Sequence, residues 1–246
     1  MTTPTPIRVA DYRHIVLLTG AGISAASGLP TYRGAGGLWT THNVAQYATG
    51  EALKADPRGV WEFFARVRAL IAAAAPNKAH VAIAQVEQTL RAGQTLTVLT
   101  QNVDGLHQLA GSSNVVELHG SLRQSRCTRC DYVRTEELSS SPAECPACPS
   151  CSACLRAAVV LFDEFLDADV ERSAKRALRE CDLFLAVGTS GTVSPASNFV
   201  RAARYEGART IYVNLEPMVP ANPEFLEIVL GPADVVLPAL LGLATP

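Results

Sequence analysis

Neither sign of charge dominates this chain, and no run of about 18 apolar residues, the length a membrane span needs, occurs in it. With 21 basic against 23 acidic side chains and a formal net charge of −2, it has no broad cationic surface to neutralise a nucleic-acid backbone or an anionic membrane. Nucleic acid and membrane are therefore not expected as partners, which leaves small molecules and protein segments. The opening residues "MTTPTPIRVADYRH" hold no apolar core of signal-peptide length, so the expectation is a soluble cytoplasmic protein. Disorder is not expected either: 48% of the 246 residues are hydrophobic and 18% charged, enough for one α/β domain with a smaller insertion.

A glycine is missing where a familiar motif would place one. In "LLTGAGISAASGLPTYRGAGGLW" (17 to 39), Gly20 and Gly22 open a turn after an apolar run, as in the phosphate-binding loop of a nucleotide-binding sheet, but the third position of G-x-G-x-x-G is Ala25. The motif by itself leaves open whether a dinucleotide is bound and whether it would serve hydride transfer or another reaction.

Six of the seven cysteines fall between Cys127 and Cys154. They read as three C-x-x-C doublets, Cys127/Cys130, Cys145/Cys148 and Cys151/Cys154. Two such doublets can place four thiolates tetrahedrally around Zn²⁺. Cys130 is separated from Cys145 by 14 residues and from Cys151 by 20, and of these two spacings only the second fits the usual window of about 15–20 residues. The expected ligands of one structural zinc are therefore Cys127, Cys130, Cys151 and Cys154, with no role assigned to Cys145 and Cys148. Cys181, alone at the head of an apolar run, reads as a small buried hydrophobe.

Short apolar runs at 14–20, 95–102, 114–120, 182–190, 209–217 and 234–238 are nearly free of alternation, the pattern of strands covered on both faces of a parallel sheet. Helical stretches at 78–93 and 169–181 lie between some of them. The order predicts a doubly wound, Rossmann-like sheet built from residues 1–32, 81–120 and 159–246, with 33–80 (helical) and 121–158 (cysteine-bearing) forming a smaller module. Ligands sit at the carboxyl edge of such a sheet. That edge would gather Gly20, Ala21, Gly22, Ser24, Gln101, Asn102, Asp104, His119, Gly188, Thr189, Ser190, Asn214 and Glu216.

The blocks "GAGISAASGLPTYRG", "TQNVDGLH", "ELHGSL", the zinc-spaced doublets, "LRAAVVLF", "GTSGTVSPA" and "VNLEP" occur in the order found in sirtuins. On these motifs, which span residues 14 to 238, the chain resembles the NAD-dependent protein lysine deacylases, of bacterial type. The resemblance implies that NAD is consumed as a co-substrate, giving nicotinamide, O-acyl-ADP-ribose and free lysine in an acylated protein or peptide. It further implies that Ala21, Gly22, Gly188, Ser190, Asn214 and Glu216 hold the ADP-ribose part, backbone amides meeting phosphate, with Gly20, Thr189 and Ala233 completing the site. Gln101 and Asn102 would orient the reacting ribose, Val103 and Asp104 the nicotinamide carboxamide, and Asn102 and His119 would be catalytic. His119 is the expected general base, since an imidazole with an ordinary pKa near 6.5 is largely neutral at working pH. Tyr32 and Arg33, followed by Gly34, Gly36 and Gly37, would close over NAD as a flexible loop. His107 reads as structural. Mono-ADP-ribosyl transfer and a non-catalytic NAD-binding or zinc-held interaction module are the rival readings.

Within the family the chain looks most like the branch that includes desuccinylases, whose members grip the acyl carboxylate with a Tyr and an Arg three residues later. Aligning "WEFF" puts Phe64 and Val67 at those positions, so the acyl pocket is expected to favour neutral groups, acetyl first. At 100° per residue Val60, Phe63, Phe64, Val67, Leu70 and Ile71 share one apolar face, with Arg66 and Arg68 at its flanks and Arg68 able to swing inward. Two departures stand out: Ala26 where the family often has Glu, and Asp163 where it usually has Gly, in the segment that pairs with substrate peptide.

Overall fold

Five of the six apolar runs form strands, in a sheet with helices on both of its faces. A computed structural model describes residues 4–31, 44–138, 144–191 and 193–243; Tyr32, Arg33 and the glycines at 34, 36 and 37 lie outside them. In chain order the elements are β1 (His14–Thr19), α1 (Val44–Tyr47), α2 (Gly50–Ala55), α3 (Pro57–Ala72), α4 (Lys78–Thr89), β2 (Thr95–Thr100), α5 (Leu106–Leu109), β3 (Val115–Glu117), β4 (Gly120–Cys127) and β5 (Val133–Thr135). There follow β6 (Leu155–Val159), α6 (Ala168–Arg179), β7 (Leu183–Val187), α7 (Phe199–Tyr205), β8 (Arg209–Asn214), β9 (Glu227–Leu230) and α8 (Ala233–Leu240). Six strands make a sheet in the order β3-β2-β1-β7-β8-β9, parallel throughout.

Alternate side chains of each strand enter different cores. Leu17, Val98, Leu185 and Ile211 pack with Ile83 and Val86 of α4 and Leu237 and Leu240 of α8. Val16, Leu18, Leu99, Phe184 and Tyr212 pack with Leu178 of α6 and Phe199 and Val200 of α7. With both faces covered, neither set of positions can be polar, which is why the runs show no period of two.

The run at 234–238 is helical, not a strand. It lies in α8, and the sixth strand is β9, which begins at Glu227. A five-residue apolar run has the same appearance in a buried helix as in a buried strand, and here α8 buries Val236, Leu237 and Leu240 against the sheet.

The interrupting segments share a core of their own. Val44, Val60, Phe63, Phe64 and Ile71 from the helical stretch meet Leu122, Leu138 and Ala157 from the cysteine-bearing one and Val159 and Leu161 just beyond it, beside the antiparallel sheet β5-β4-β6. Two expectations for α3 need correction. Leu70, assigned to the buried face, is 43% exposed, whereas Arg68 is fully buried. The Arg68 guanidinium donates from Nε to the Leu122 carbonyl (2.9 Å) and from Nη2 to the Gln124 carbonyl (3.0 Å) and Ser125 Oγ (2.8 Å). It also lies 4.9 Å from the centre of the Trp61 ring. Five planar donors suit an arginine to this role, so Arg68 fastens α3 to β4. Among the described residues no helix is long and apolar enough to cross a membrane.

Candidate active site and metal centre

Parallel strands bring their carboxyl ends to one edge, and the sheet order reverses between β1 and β7, where a crevice opens in such folds. Two backbone turns meet there closely. A side-chain carbon at Gly22 would sit 2.7 Å from Gly188 Cα, and one at Gly188, where φ is +62°, would sit 2.3 Å from the Ile23 nitrogen. The Gly22 amide donates to the Gly188 carbonyl (2.8 Å) and the Gly188 amide to the Val213 carbonyl (2.9 Å). These two N–H groups, expected to meet phosphate, are engaged within the protein; the observed part of both glycines is steric.

Beneath the crevice lies a buried polar network. Asn102 donates from Nδ2 to the Gly20 carbonyl (3.2 Å) and to Ser24 Oγ (3.1 Å), and Ser24 donates to Asp104 Oδ2 (2.7 Å). Asp104 Oδ1 accepts from the Leu106 amide (2.9 Å). Gln101 accepts at Oε1 from Thr189 Oγ1 (2.8 Å), and Asn214 donates to the Thr189 carbonyl (3.1 Å). Strands β1, β2, β7 and β8 are thus joined at their ends by side chains of the expected site. Glu216 is exposed beyond β8, and Ala233 is buried in the first turn of α8.

His119 stands between β3 and β4. Its Nδ1 is 3.0 Å from the Gln101 carbonyl oxygen, and because a carbonyl only accepts, Nδ1 carries the proton and Nε2 of the neutral ring keeps its lone pair. Burial holds the imidazole below its ordinary 6.5, against the opposing effect of the Gln101 hydrogen bond. The backbone on either side is fixed: Val160 donates to the His119 carbonyl (2.9 Å), and Gly120, at φ +75°, passes so near the Ala158 carbonyl that a side-chain carbon would lie 2.1 Å from it.

His80, which the motifs did not single out, belongs to the network. It is fully buried, and its Nδ1 accepts from the Asn77 amide (3.3 Å) while Nε2 lies 3.5 Å from Ser24 Oγ. The sequence signal was "NKAH" at the head of α4, a cap followed by a histidine three residues on. His107, read as structural, lies 4.9 Å from His80 ring to ring, with Nε2 3.0 Å from Thr19 Oγ1.

The metal centre differs from the sequence expectation in one doublet. Cys127, Cys130, Cys148 and Cys151 bring their sulfurs within 4.8 Å of one another; Cys127 and Cys151 are 3.4 Å apart and Cys130 and Cys148 3.7 Å. Tetrahedral Zn–S bonds of about 2.3 Å put sulfurs about 3.8 Å apart, so the donor set fits zinc. Cys154 is not in this group and Cys148 is. Four cysteines in a row at x₂ spacing, from Cys145 to Cys154, contain a middle pair that division into separate doublets hides. Between Cys130 and that pair lie 17 residues, inside the usual window. The turn closed by the Ser152 amide on the Cys148 carbonyl (2.8 Å) holds it together, while Cys154 already lies in extended backbone bridged to Ala147.

The sequence falls within a known family. A family model described as Sir2 family matches residues 20–195. NAD-dependent protein deacylase 2 of Pyrobaculum aerophilum is 43% identical over 237 residues, covering 95% of this chain and 92% of that protein. NAD-dependent protein deacylase sirtuin-5 of Danio rerio is 39% identical, covering 94% of this chain and 83% of its own. Among solved structures, a Sir2 homolog–NAD complex superposes with a TM-score of 0.86 at 37% identity, covering 95% of this chain and 90% of that one.

Two measurements check this geometry. Cys148→Ala should lose bound zinc and stability while Cys154→Ala retains one zinc per chain; the reverse result in purified protein would restore the pairing expected from the sequence. The second is the pH dependence of stability. Burial pushes His107 down to about 3, the neighbouring His80 adding to this, and pushes His80 down to about 4 against the opposing charge of Asp104. Both are neutral when folded, so below pH 6.5 the unfolded chain binds more protons and stability falls with pH until the folded histidines titrate. The slope is up to about 1.4 kcal/mol per pH unit for each. His107→Gln should make the loss between pH 6.5 and 4.5 clearly shallower in urea unfolding, and an unchanged slope counts against the assignment.

Proposed function

The chain belongs to the Sir2 family, and from that premise we infer that it is an NAD-dependent protein lysine deacylase. The observation that carries the mechanism is the His119 Nδ1 contact with the Gln101 carbonyl, which leaves Nε2 as a base at neutral pH. NAD supplies the ribose carbon whose bond to nicotinamide breaks and which takes up the acyl oxygen of the lysine amide. The protein's part is to hold and to move a proton. Ala21, Gly22, Gly188, Thr189, Ser190, Asn214 and Glu216 form the proposed seat of the ADP-ribose part, with Gly20 shaping its floor and Ala233 at its far end. Asn102 and Asp104, immobilised through Ser24, orient the ribose and carboxamide together with Gln101. His119 Nε2 removes a ribose hydroxyl proton so that this oxygen attacks the acyl carbon; the carbon–nitrogen bond then breaks, lysine leaves with its nitrogen protonated, and one water molecule supplies the oxygen that completes O-acyl-ADP-ribose. Zinc, held by four thiolates with no open position, is structural. A cytoplasmic location suits a protein that depends on reduced thiols.

Phe64 and Val67 line the acyl pocket in this reading. Both belong to the apolar cluster that includes Val103 and Leu161. Arg68, the nearby cation on α3, is committed to Leu122, Gln124 and Ser125. A carboxylate entering there loses water and meets no exposed cation, since the Arg68 guanidinium is fully buried with Nε and Nη2 occupied, so neutral acyl groups are preferred, acetyl first and longer aliphatic chains after it.

His119→Ala should lower kcat for deacetylation by about 10²–10⁴-fold with NAD affinity little changed; undiminished turnover removes His119 from the mechanism. In the native enzyme the acid limb of kcat/KM should fall below pH 6.5, since burial lowers the histidine. On one peptide bearing either acetyl- or succinyl-lysine, kcat/KM should favour acetyl by about tenfold or more, the equivalent of about 1.4 kcal/mol. Phe64→Tyr combined with Val67→Arg should narrow or reverse that ratio, and a succinyl preference in the native protein would refute the neutral pocket.

A further inference from the structure

Once the metal is assigned to Cys127, Cys130, Cys148 and Cys151, two of the six clustered cysteines have no task, and the fold places these two against each other. The Cys145 side chain adjoins that of Cys154. Their backbones run antiparallel, with Ala147 bridged to Cys154. The Cys148 amide donates to the Ala153 carbonyl (2.7 Å) and the Leu155 amide to the Pro146 carbonyl (2.9 Å). The reciprocal bond, from residue 146 to the Leu155 carbonyl, cannot form because proline has no N–H. Cys145 Sγ takes its place, 3.1 Å from the Leu155 carbonyl oxygen. A missing backbone donor thus holds the Cys145 thiol on the side of the bridge where Cys154 stands. Both residues are partly exposed, and neither belongs to the cluster of ligand sulfurs.

We propose that Cys145 and Cys154 are a redox-active thiol pair that closes reversibly to a disulfide, clipping the metal-binding turn to the start of β6 without giving the metal a ligand. The Cys145 thiol is engaged by the Leu155 carbonyl at 3.1 Å, so Cys154 is the sulfur that attacks first. With a small-molecule disulfide such as glutathione disulfide as oxidant, the Cys154 sulfur attacks one of its sulfurs, the S–S bond breaks, and one thiolate leaves. Cys145 then attacks the Cys154 sulfur of the mixed disulfide and expels the second thiolate. The protein gives up two electrons and two protons, and the oxidant becomes two thiols. The ring so closed runs from residue 145 to 154 and contains both Cys148 and Cys151. Closing it restricts the ways in which those ligands can separate from the metal. It also stiffens the entry to β6, whose continuation at Val160 holds the carbonyl of His119.

The test uses full-length, zinc-loaded protein in glutathione buffers of increasing disulfide content, quenched with an alkylating agent and mapped by mass spectrometry. The expected result is a Cys145–Cys154 cross-link appearing before any other cysteine is oxidised, zinc remaining at one per chain, and zinc transfer to a chelator slowed several-fold. Cys145→Ser and Cys154→Ser, each still binding zinc, should both abolish the slowing. A cross-link through Cys127, Cys130, Cys148 or Cys151, zinc loss on oxidation, or a glutathione adduct on Cys154 that never closes would each overturn the proposal.

Discussion

Everything at the reactive edge of this sheet depends on how closely the turn after β1 approaches the turn after β7. Glycine faces glycine there, and the Gly22 amide bonds the Gly188 carbonyl. With side chains at those positions the turns would be pushed apart by atoms that have nowhere to go. The link from Thr189 to Gln101 would then be lost, and with it the path that joins β7 to the carbonyl orienting His119. The absent third glycine is accounted for by the same contact. Tightness comes from a second turn packing on the first, so Ala25 can occupy the position without closing the crevice.

The site proposed for proton transfer is held from two directions. From the main sheet comes the Gln101 carbonyl, which selects the tautomer of His119; from the residue after β6 comes the Val160 amide, which fixes the main chain beside it. A side chain with only one of these supports would have a choice of ring orientation or of backbone path. The buried histidines beneath the crevice serve a different end, remaining neutral members of a network that keeps Asn102 and Asp104 in place.

Much of this was legible in the residues. The Val/Leu/Ile runs of β1, β2, β7 and β8 announced a sheet covered on both faces, and the polar residues following them marked its working edge. What was misread has physical causes. The 234–238 run gave no clue to its helical state because burial erases periodicity over so short a span. Arg68 was set at a flank because charge on a helix ordinarily seeks water, whereas three acceptors on β4 made its burial favourable. Leu70 shows the converse, since an apolar stripe at helical spacing need not be covered along its whole width. His80 carried only a capping signal, and its contacts with Ser24 and His107 depend on the packing of α4 against the sheet edge.

The uniform spacing of Cys145, Cys148, Cys151 and Cys154 has a bearing on biosynthesis. To an unfolded chain the three overlapping pairs are equivalent bidentate ligands, so a metal ion captured early has no local reason to choose the middle one. The choice is made by backbone geometry: extension through the bridge of Ala147 with Cys154 draws the outer cysteines away and leaves the central turn facing Cys127 and Cys130. In the folded protein it is thus the backbone bridge, and not the cysteine spacing, that sets the middle pair apart from the other two.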